Sequence, residues 1–172
     1  MIRALLLSIL ILFQTPSGQQ TFNGNGVSFN YPDGWTIYDD TNSDAQQLTL
    51  ARPKSDIQIR VFVHKGRITQ EKFADAKKAF IDPYIASTMK QFVAMGAKPE
   101  QSADSSEIAG AKVEGVKISA SLGEPGAAKI YWALLGQRVV ILTIFGPDRD
   151  IKQFAPAWEL VRSSLKVEEK KP

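Results

Sequence analysis

The order of its periodic segments places this chain in the α+β class, as an α/β/α sandwich with one mostly antiparallel sheet and a helix layer on each face. Three observations carry that expectation. Strand-like segments come first, then one long helical pattern, then more strand-like segments and a closing helix. Hairpin-length connections join the strands, which implies antiparallel pairing. The last strand-like segment, "RVVILTIF" (138–145), is apolar at almost every position, as a central strand covered on both faces must be. With two helical elements and one sheet, the economical packing puts a helix on either side. No internal repeat or linker argues for a second domain.

The elements follow in order. Asn23-Gly24-Asn25-Gly26 is a turn signal, because Asn and Gly both tolerate positive φ. "VSFNYP" then alternates, with Val27, Phe29 and Tyr31 on one face and Ser28 and Asn30 on the other, a half-buried strand. Pro32-Asp33-Gly34 supplies a turn, with Pro suited to position i+1 and Gly to i+3. "WTIY" resumes extended structure. "QQLTLAR" (46–52) and "DIQIRVFVHK" (56–65) make a hairpin around Pro53-Lys54-Ser55. Ile57, Ile59, Val61 and Val63 share one face of it, and Gln58 and Arg60 the other.

Residues 69–95 carry apolar side chains at three- and four-residue spacing, the mark of a helix. Thr69 is placed to cap its start and Gly96 to sit just past its end. Pro83 interrupts the pattern. Either the helix kinks there, or Asp82 caps a second helix with Pro83 in its first turn. "KVEGVKISAS" (112–121), "AAKIYWALL" (127–135) and 138–145 read as a meander, with Gly136-Gln137 as a two-residue hairpin loop. The closing helix spans 150–165, with Asp148 or Asp150 as its cap and a break near Pro156.

Composition narrows the setting. The chain has 172 residues, 44% hydrophobic and 23% charged, which is ordinary globular composition. Its net charge of +3 shows no basic stripe of the kind that binds nucleic acid. Residues 1–18 read as a secretory signal. Arg3 and the amino terminus are positive, and Ala4 to Phe13 is a ten-residue apolar run, too short to span a bilayer as a helix. Thr15 and Ser17 fit the small positions before a cleavage site, and Gly18 is an equally good last signal residue. The alternative is an uncleaved anchor. The reading therefore divides the chain into a signal (1–18), one domain (19–167) and a solvated tail (168–172). There is no cysteine, so lipid attachment through cysteine, disulfides and thiolate metal sites are all excluded. Stability must come from a hydrophobic core.

The segment "VSFNYPDGW" resembles the opening of the PsbP-like family, named after an extrinsic protein of photosystem II, with Phe29, Pro32 and Trp35 matching an early aromatic–Pro–Trp signature. "ITQEKFADA", which opens the long helix and places Phe73 after the turn, and "GQRVVILTIFGPDRDIKQFAPAWELVRSSLKV" are similar to the family's later elements. The resemblance covers roughly residues 22–167. It implies an α/β/α sandwich with an antiparallel sheet. It also implies a non-enzymatic accessory protein, since plant members bind the lumenal face of photosystem II and help retain calcium and chloride. It carries over the scaffold positions Phe29, Pro32 and Trp35 but no binding residues.

Few residues look chemical. Asp33, framed by Tyr31 and Trp35, is explained by turn chemistry. From Asp40 the loop reads D-x-N-x-D, so Asp40, Asn42 and Asp44 occupy the first three ligand positions of a calcium loop. Ala45 then stands where Gly makes the sharp turn and Ala51 where the bidentate Glu belongs. His64 is the single histidine and the one possible centre for Ser–His chemistry. Trp35, Trp132 and Trp158 fall on apolar stripes and read as core rather than as a ligand cage. No phosphate loop, nucleophile elbow or zinc helix is present. The expectation is a periplasmic or secreted accessory protein (lumenal in a phototroph) that is not an enzyme and has no cofactor beyond the marginal calcium loop. It binds a protein partner, such as the exposed face of a membrane complex. A small-ligand or metal-ion module using a pocket between sheet and long helix is the alternative, and a hydrolase centred on His64 ranks third.

Overall fold

The computed structural model describes residues 18–169. The signal assignment (1–18), except Gly18, and the last three tail residues lie outside that range. Ten strands form two antiparallel sheets. The small one pairs β1 (Gln19–Gly24) with β2 (Val27–Pro32), and β2 with β10 (Lys166–Val167). The large one has seven strands. These are β3 (Thr36–Asp39), β4 (Ala45–Ala51), β5 (Gln58–His64), β6 (Glu100–Ile108), β7 (Ala111–Ser121), β8 (Pro125–Leu135) and β9 (Arg138–Pro147), in the order β3-β4-β5-β9-β8-β7-β6. The strand apolar at almost every position, β9, lies in the middle, and both of its faces are buried. Its even residues Val140, Leu142 and Ile144 enter one core, and Val139 and Ile141 the other.

The long helical segment runs on without a break. A 3-10 turn (Gln70–Lys72) leads into α1 (Phe73–Ala76), a π segment (Lys77–Ile81) and α2 (Asp82–Ala94). Pro83 accounts for the π segment. It has no N–H to donate and its ring crowds the preceding turn, so the helix widens just before it. Asp82 is therefore not a cap: its backbone is helical (φ −61, ψ −43) and no side-chain cap bond is made at this start. Gly96 ends the helix at φ +88, as its position predicts. Thr69 takes an extended backbone without making a side-chain cap bond.

The closing segment is two helices, α3 (Asp148–Gln153) and α4 (Ala155–Ser164), broken at Phe154. Neither Asp148 nor Asp150 caps α3: Pro147 holds that position, and Asp150 is buried against Ser55 instead.

Ile81, Ile85 and Phe92 of the long helix bury Ile118, Ile130 and Ile141 of the large sheet. On the opposite face, Ala157 and Val161 of α4 share the layer with Val27 and Phe29 of β2, over Ile59, Val61 and Leu142. That face is thus not covered by helix alone, because the small sheet fills part of it. The sheet's seven strands span about 29 Å at about 4.8 Å per strand, whereas a helix is about 10 Å wide. The single helical run on the other face therefore leaves sheet uncovered along both of its flanks.

Two strands escape the periodic pattern. β1 keeps only Phe22 against the core, stacked on Phe29 at 5.2 Å. β6, "EQSADSSEI", exposes most of its side chains on both faces. Neither alternates apolar with polar residues, so only pairing with a neighbour makes them strands.

Candidate functional site

The stretch Tyr31-Pro32-Asp33-Gly34-Trp35 is a structural corner. Asp33 is exposed and its N–H donates to the Gly18 carbonyl at 2.8 Å, while Gly34 takes φ +80. Trp35 is 6% exposed and meets Phe154 edge-on at 5.7 Å. Phe29 and Trp35 sit in the core shared with α4, and Pro32 closes β2.

The Asp40–Asp44 loop spends the Asn42 and Asp44 oxygens on its own groups. Asn42 Oδ1 accepts from the N–H groups of Asp44 (2.9 Å) and Ala45 (3.0 Å). Asp44 Oδ1 accepts from Ser43, and Asp39 Oδ1 from the Thr41 N–H. Asp40 instead borders a depression over Thr49, Arg60 and Tyr84. Among the described residues, no group of three or more His, Asp or Glu side chains is placed to hold a metal ion. His64 Nδ1 accepts the Gly66 N–H (3.0 Å) and the ring lies against Phe80 at 4.2 Å, closing a turn. Trp35 and Trp158 belong to one core and Trp132 to the other, so the tryptophans do not share a pocket.

Three buried polar groups were invisible to pattern reading. Arg138 is buried and donates to the carbonyls of His64 and Asn25, both at 3.1 Å; burial lowers its pKa. The Tyr131 hydroxyl donates to Asp104 at 2.8 Å, and burial, then that bond, raises its pKa. Asp150 accepts from Ser55 at 2.6 Å, and this bond, helped by Arg149, holds its pKa below the ordinary 3.8. A depressed carboxylate pKa contributes stability that is present above the unfolded value and lost as pH falls through the folded one. Thermal stability is therefore expected to drop below about pH 4. The Asp150→Asn protein should be less stable at neutral pH and show a smaller acid-induced loss. Melts at pH 3 to 7 check this, and parallel curves for the two proteins would refute it.

Open surfaces of two different kinds are present. The first is the free edge of β6. All nine of its residues pair with β7 and none with another strand. The tight turn at Ala109 (φ 52) and Gly110 (φ 79) closes on the pair Ile108–Ala111, so even-numbered residues bond β7 and odd-numbered ones face outward. Two outward groups are already occupied: the Glu107 carbonyl accepts from Arg162 (2.7 Å), and the Ser105 N–H donates to Asp104 Oδ1 (2.8 Å). The outward N–H and C=O of Gln101 and Ala103 have no partner among the described residues.

The second is an apolar cleft of about 330 Å3 where α2 ends beyond the sheet. Ile57, Phe92, Ala127 and Phe145 form its floor. Met95 and Leu122 stand at its mouth, 50% and 44% exposed, and Val93 on the same helix is also exposed. Gln58, Ser55, Asp56 and Glu124 supply its polar rim. No sequence signal singled out Met95 or Leu122, since each is one apolar residue beside a glycine.

No family model matches the chain, and no curated protein matches it in sequence. Among solved structures, the solution structure of cyanobacterial PsbP (CyanoP) from Synechocystis sp. PCC 6803 is similar over 90% of this chain and 95% of that one, with a TM-score of 0.56 and 15% identity. A Pseudomonas aeruginosa protein of unknown function aligns over 82% of this chain and 91% of its own, at 14% identity and a TM-score of 0.32. No helix of the described residues is long and apolar enough to cross a membrane. The likeness to cyanobacterial PsbP is a likeness of fold: a large antiparallel sheet with few helices, PsbP-like in its overall course.

Proposed function

We propose that this chain is a non-enzymatic accessory protein of the PsbP-like kind. It works outside the cytoplasm, in the periplasm or secreted, without a resident metal or cofactor, and docks on a protein partner such as the exposed face of a membrane complex. The apolar amino-terminal run and the PsbP-like fold support the setting. The observation that carries the partner class is the open half of the β6 edge. Free backbone N–H and C=O groups in a row are best satisfied by another polypeptide in extended form.

Charge selects the occupant. β6 bears Glu100, Asp104 and Glu107 and no Lys, Arg or Pro. A second copy pairing antiparallel about Ser102 would set Asp104 opposite Glu100 of its neighbour, a like-charge pair that destabilises. An extended segment of a partner carrying Lys or Arg meets the same edge favourably.

The test is purification of the tagged protein from its own host in mild detergent, beside the Ala103→Pro variant. Proline at an outward edge position removes only the free N–H and is tolerated there. A stoichiometric complex is expected with the parent protein and its loss with Ala103→Pro, at an unchanged melting temperature. Equal recovery with both proteins would exclude the edge, and a parent that elutes alone would remove the accessory reading.

A further inference from the structure

The long helix covers only part of its side of the large sheet. The core beneath it contains no residue of β3 or β4, while Ile37, Leu48 and Leu50 of those strands belong to the opposite core. Tyr38, Gln47 and Thr49 alternate with them and therefore stand on an uncovered sheet face. Register places Arg60 and Asp40 beside them. Tyr38 pairs with Thr49, Thr49 pairs with Arg60, and the Asp40 N–H donates to the Gln47 carbonyl at 2.9 Å. Asp40, Gln47, Thr49 and Arg60 line one depression of about 240 Å3, walled on its inner side by the rings of Phe62 and Tyr84, 6.5 Å apart. Tyr38 is 56% exposed on the same face.

The polar groups of this depression are not spent on one another. Asp40 and Arg60 form no ion pair, and the side chains of Asp40, Gln47 and Thr49 make no hydrogen bond among the described residues. Arg60 is nevertheless oriented. Its Nε (3.2 Å) and Nη2 (2.8 Å) donate to Oε1 of Gln58, and its guanidinium lies over the Phe145 ring at 6.0 Å, which leaves Nη1 without a protein partner. The depression thus joins an acceptor-only carboxylate, a donor-only guanidinium, and an amide and a hydroxyl that do both. An anion would face Asp40, a cation would face Arg60, and an apolar ligand would leave all four groups unsatisfied. A neutral molecule with adjacent hydroxyls satisfies them together, and its C–H face packs on the negative face of an aromatic ring.

We infer that this face binds a neutral carbohydrate, with one sugar ring of a glycan seated in the depression. Asp40 accepts from one hydroxyl, Arg60 donates to another, and Gln47 and Thr49 take those between, while Tyr38 stacks on the neighbouring sugar. The depression is smaller than the pockets of about 300–1,000 Å3 that enclose whole drug-sized ligands, as suits one ring of a chain that runs on across the surface. This inference goes beyond partner docking at β6 and stands or falls separately from it.

The test is calorimetric titration of the purified protein with maltotetraose, cellotetraose, laminaritetraose and chitotetraose. Free phenylalanine is the comparison, a zwitterion whose two charges and ring could also answer Asp40, Arg60 and Tyr38. Saturable one-to-one binding of at least one tetrasaccharide is expected, and none of phenylalanine. Tyr38→Ala should weaken that sugar about three- to tenfold, the worth of a stacked ring, and Tyr38→Phe should restore it. Arg60→Gln should weaken it about tenfold, the loss expected of one charge-assisted hydrogen bond. Both Tyr38 variants should keep the parent melting temperature, because the side chain is more than half exposed. Partner capture through β6 should persist in all three proteins. Absence of saturable binding by every tetrasaccharide overturns the inference. So does sugar binding that neither Tyr38→Ala nor Arg60→Gln alters, which would place the site elsewhere. Saturation by phenylalanine in place of the sugars would make this an amino-acid site, and the inference also falls.

Discussion

Trp35→Ala should lower the unfolding free energy by about 3–5 kcal/mol, the range for truncating a buried aromatic. Trp35 sits where β2 has ended and β3 begins, and its ring meets Phe154 at the break between α3 and α4. Removing it leaves a cavity between the large sheet and the layer formed by β2 and the closing helices, which share this core. Collapse is limited, because Phe154 is also held beneath the Arg52 guanidinium at 5.1 Å. Urea unfolding followed by circular dichroism gives the value. Asp33→Asn is the internal comparison: two residues away and exposed, it should change stability by less than about 0.5 kcal/mol. Near-equal stabilities for the Trp35→Ala and parent proteins would mean that the corner is not an anchor.

A loss of at least about 3 kcal/mol is expected for Gly115→Val, beyond the usual cost of adding a methylene to a packed core. A Cβ at position 115 would lie 2.2 Å from Cδ1 of Tyr131 and 2.6 Å from the carbonyl oxygen of Ile130. Neither neighbour yields easily. Ile130 belongs to the β7–β8 ladder, and Tyr131 is held by Asp104 at 2.8 Å and by the Trp158 ring at 5.8 Å. The strand must open or the tyrosine must leave. A double variant separates the two: if the ring is the obstacle, adding Tyr131→Ala to Gly115→Val should cost less than the sum of the single changes. Strict additivity would place the strain on the backbone carbonyl instead.

How much of this could be read beforehand follows the strength of local patterns. β9 announced itself as central because eight consecutive residues are almost all apolar, and the structure buries both faces. Gly96 marked the helix end because a left-handed residue is needed there. The pattern left open whether the helix kinks at Pro83 or restarts with Asp82 as a cap; a π segment carries the helix past Pro83 instead, and no local rule says which will win. Asp150 had the residue type of a cap but is drawn inward by Ser55, which lies 95 positions earlier. β6 was missed because polar side chains on both faces leave no period to detect. The strand that carries the proposed partner surface was therefore the least visible one.

The sequence by itself determined the class of fold, the central strand, the span of the long helix and the corner at Trp35. Each rests on hydrophobic periodicity or on turn chemistry, which act between residues close in the chain. Only the tertiary structure decided where chemistry is available. It spent the Asn42 and Asp44 oxygens on their own loop, buried Arg138 between sheets, left half of the β6 edge unpaired and opened an apolar cleft where α2 ends. These outcomes depend on groups brought together from distant positions, and on how much of a wide sheet one helical run can cover. Neither quantity has a signature in the neighbouring sequence.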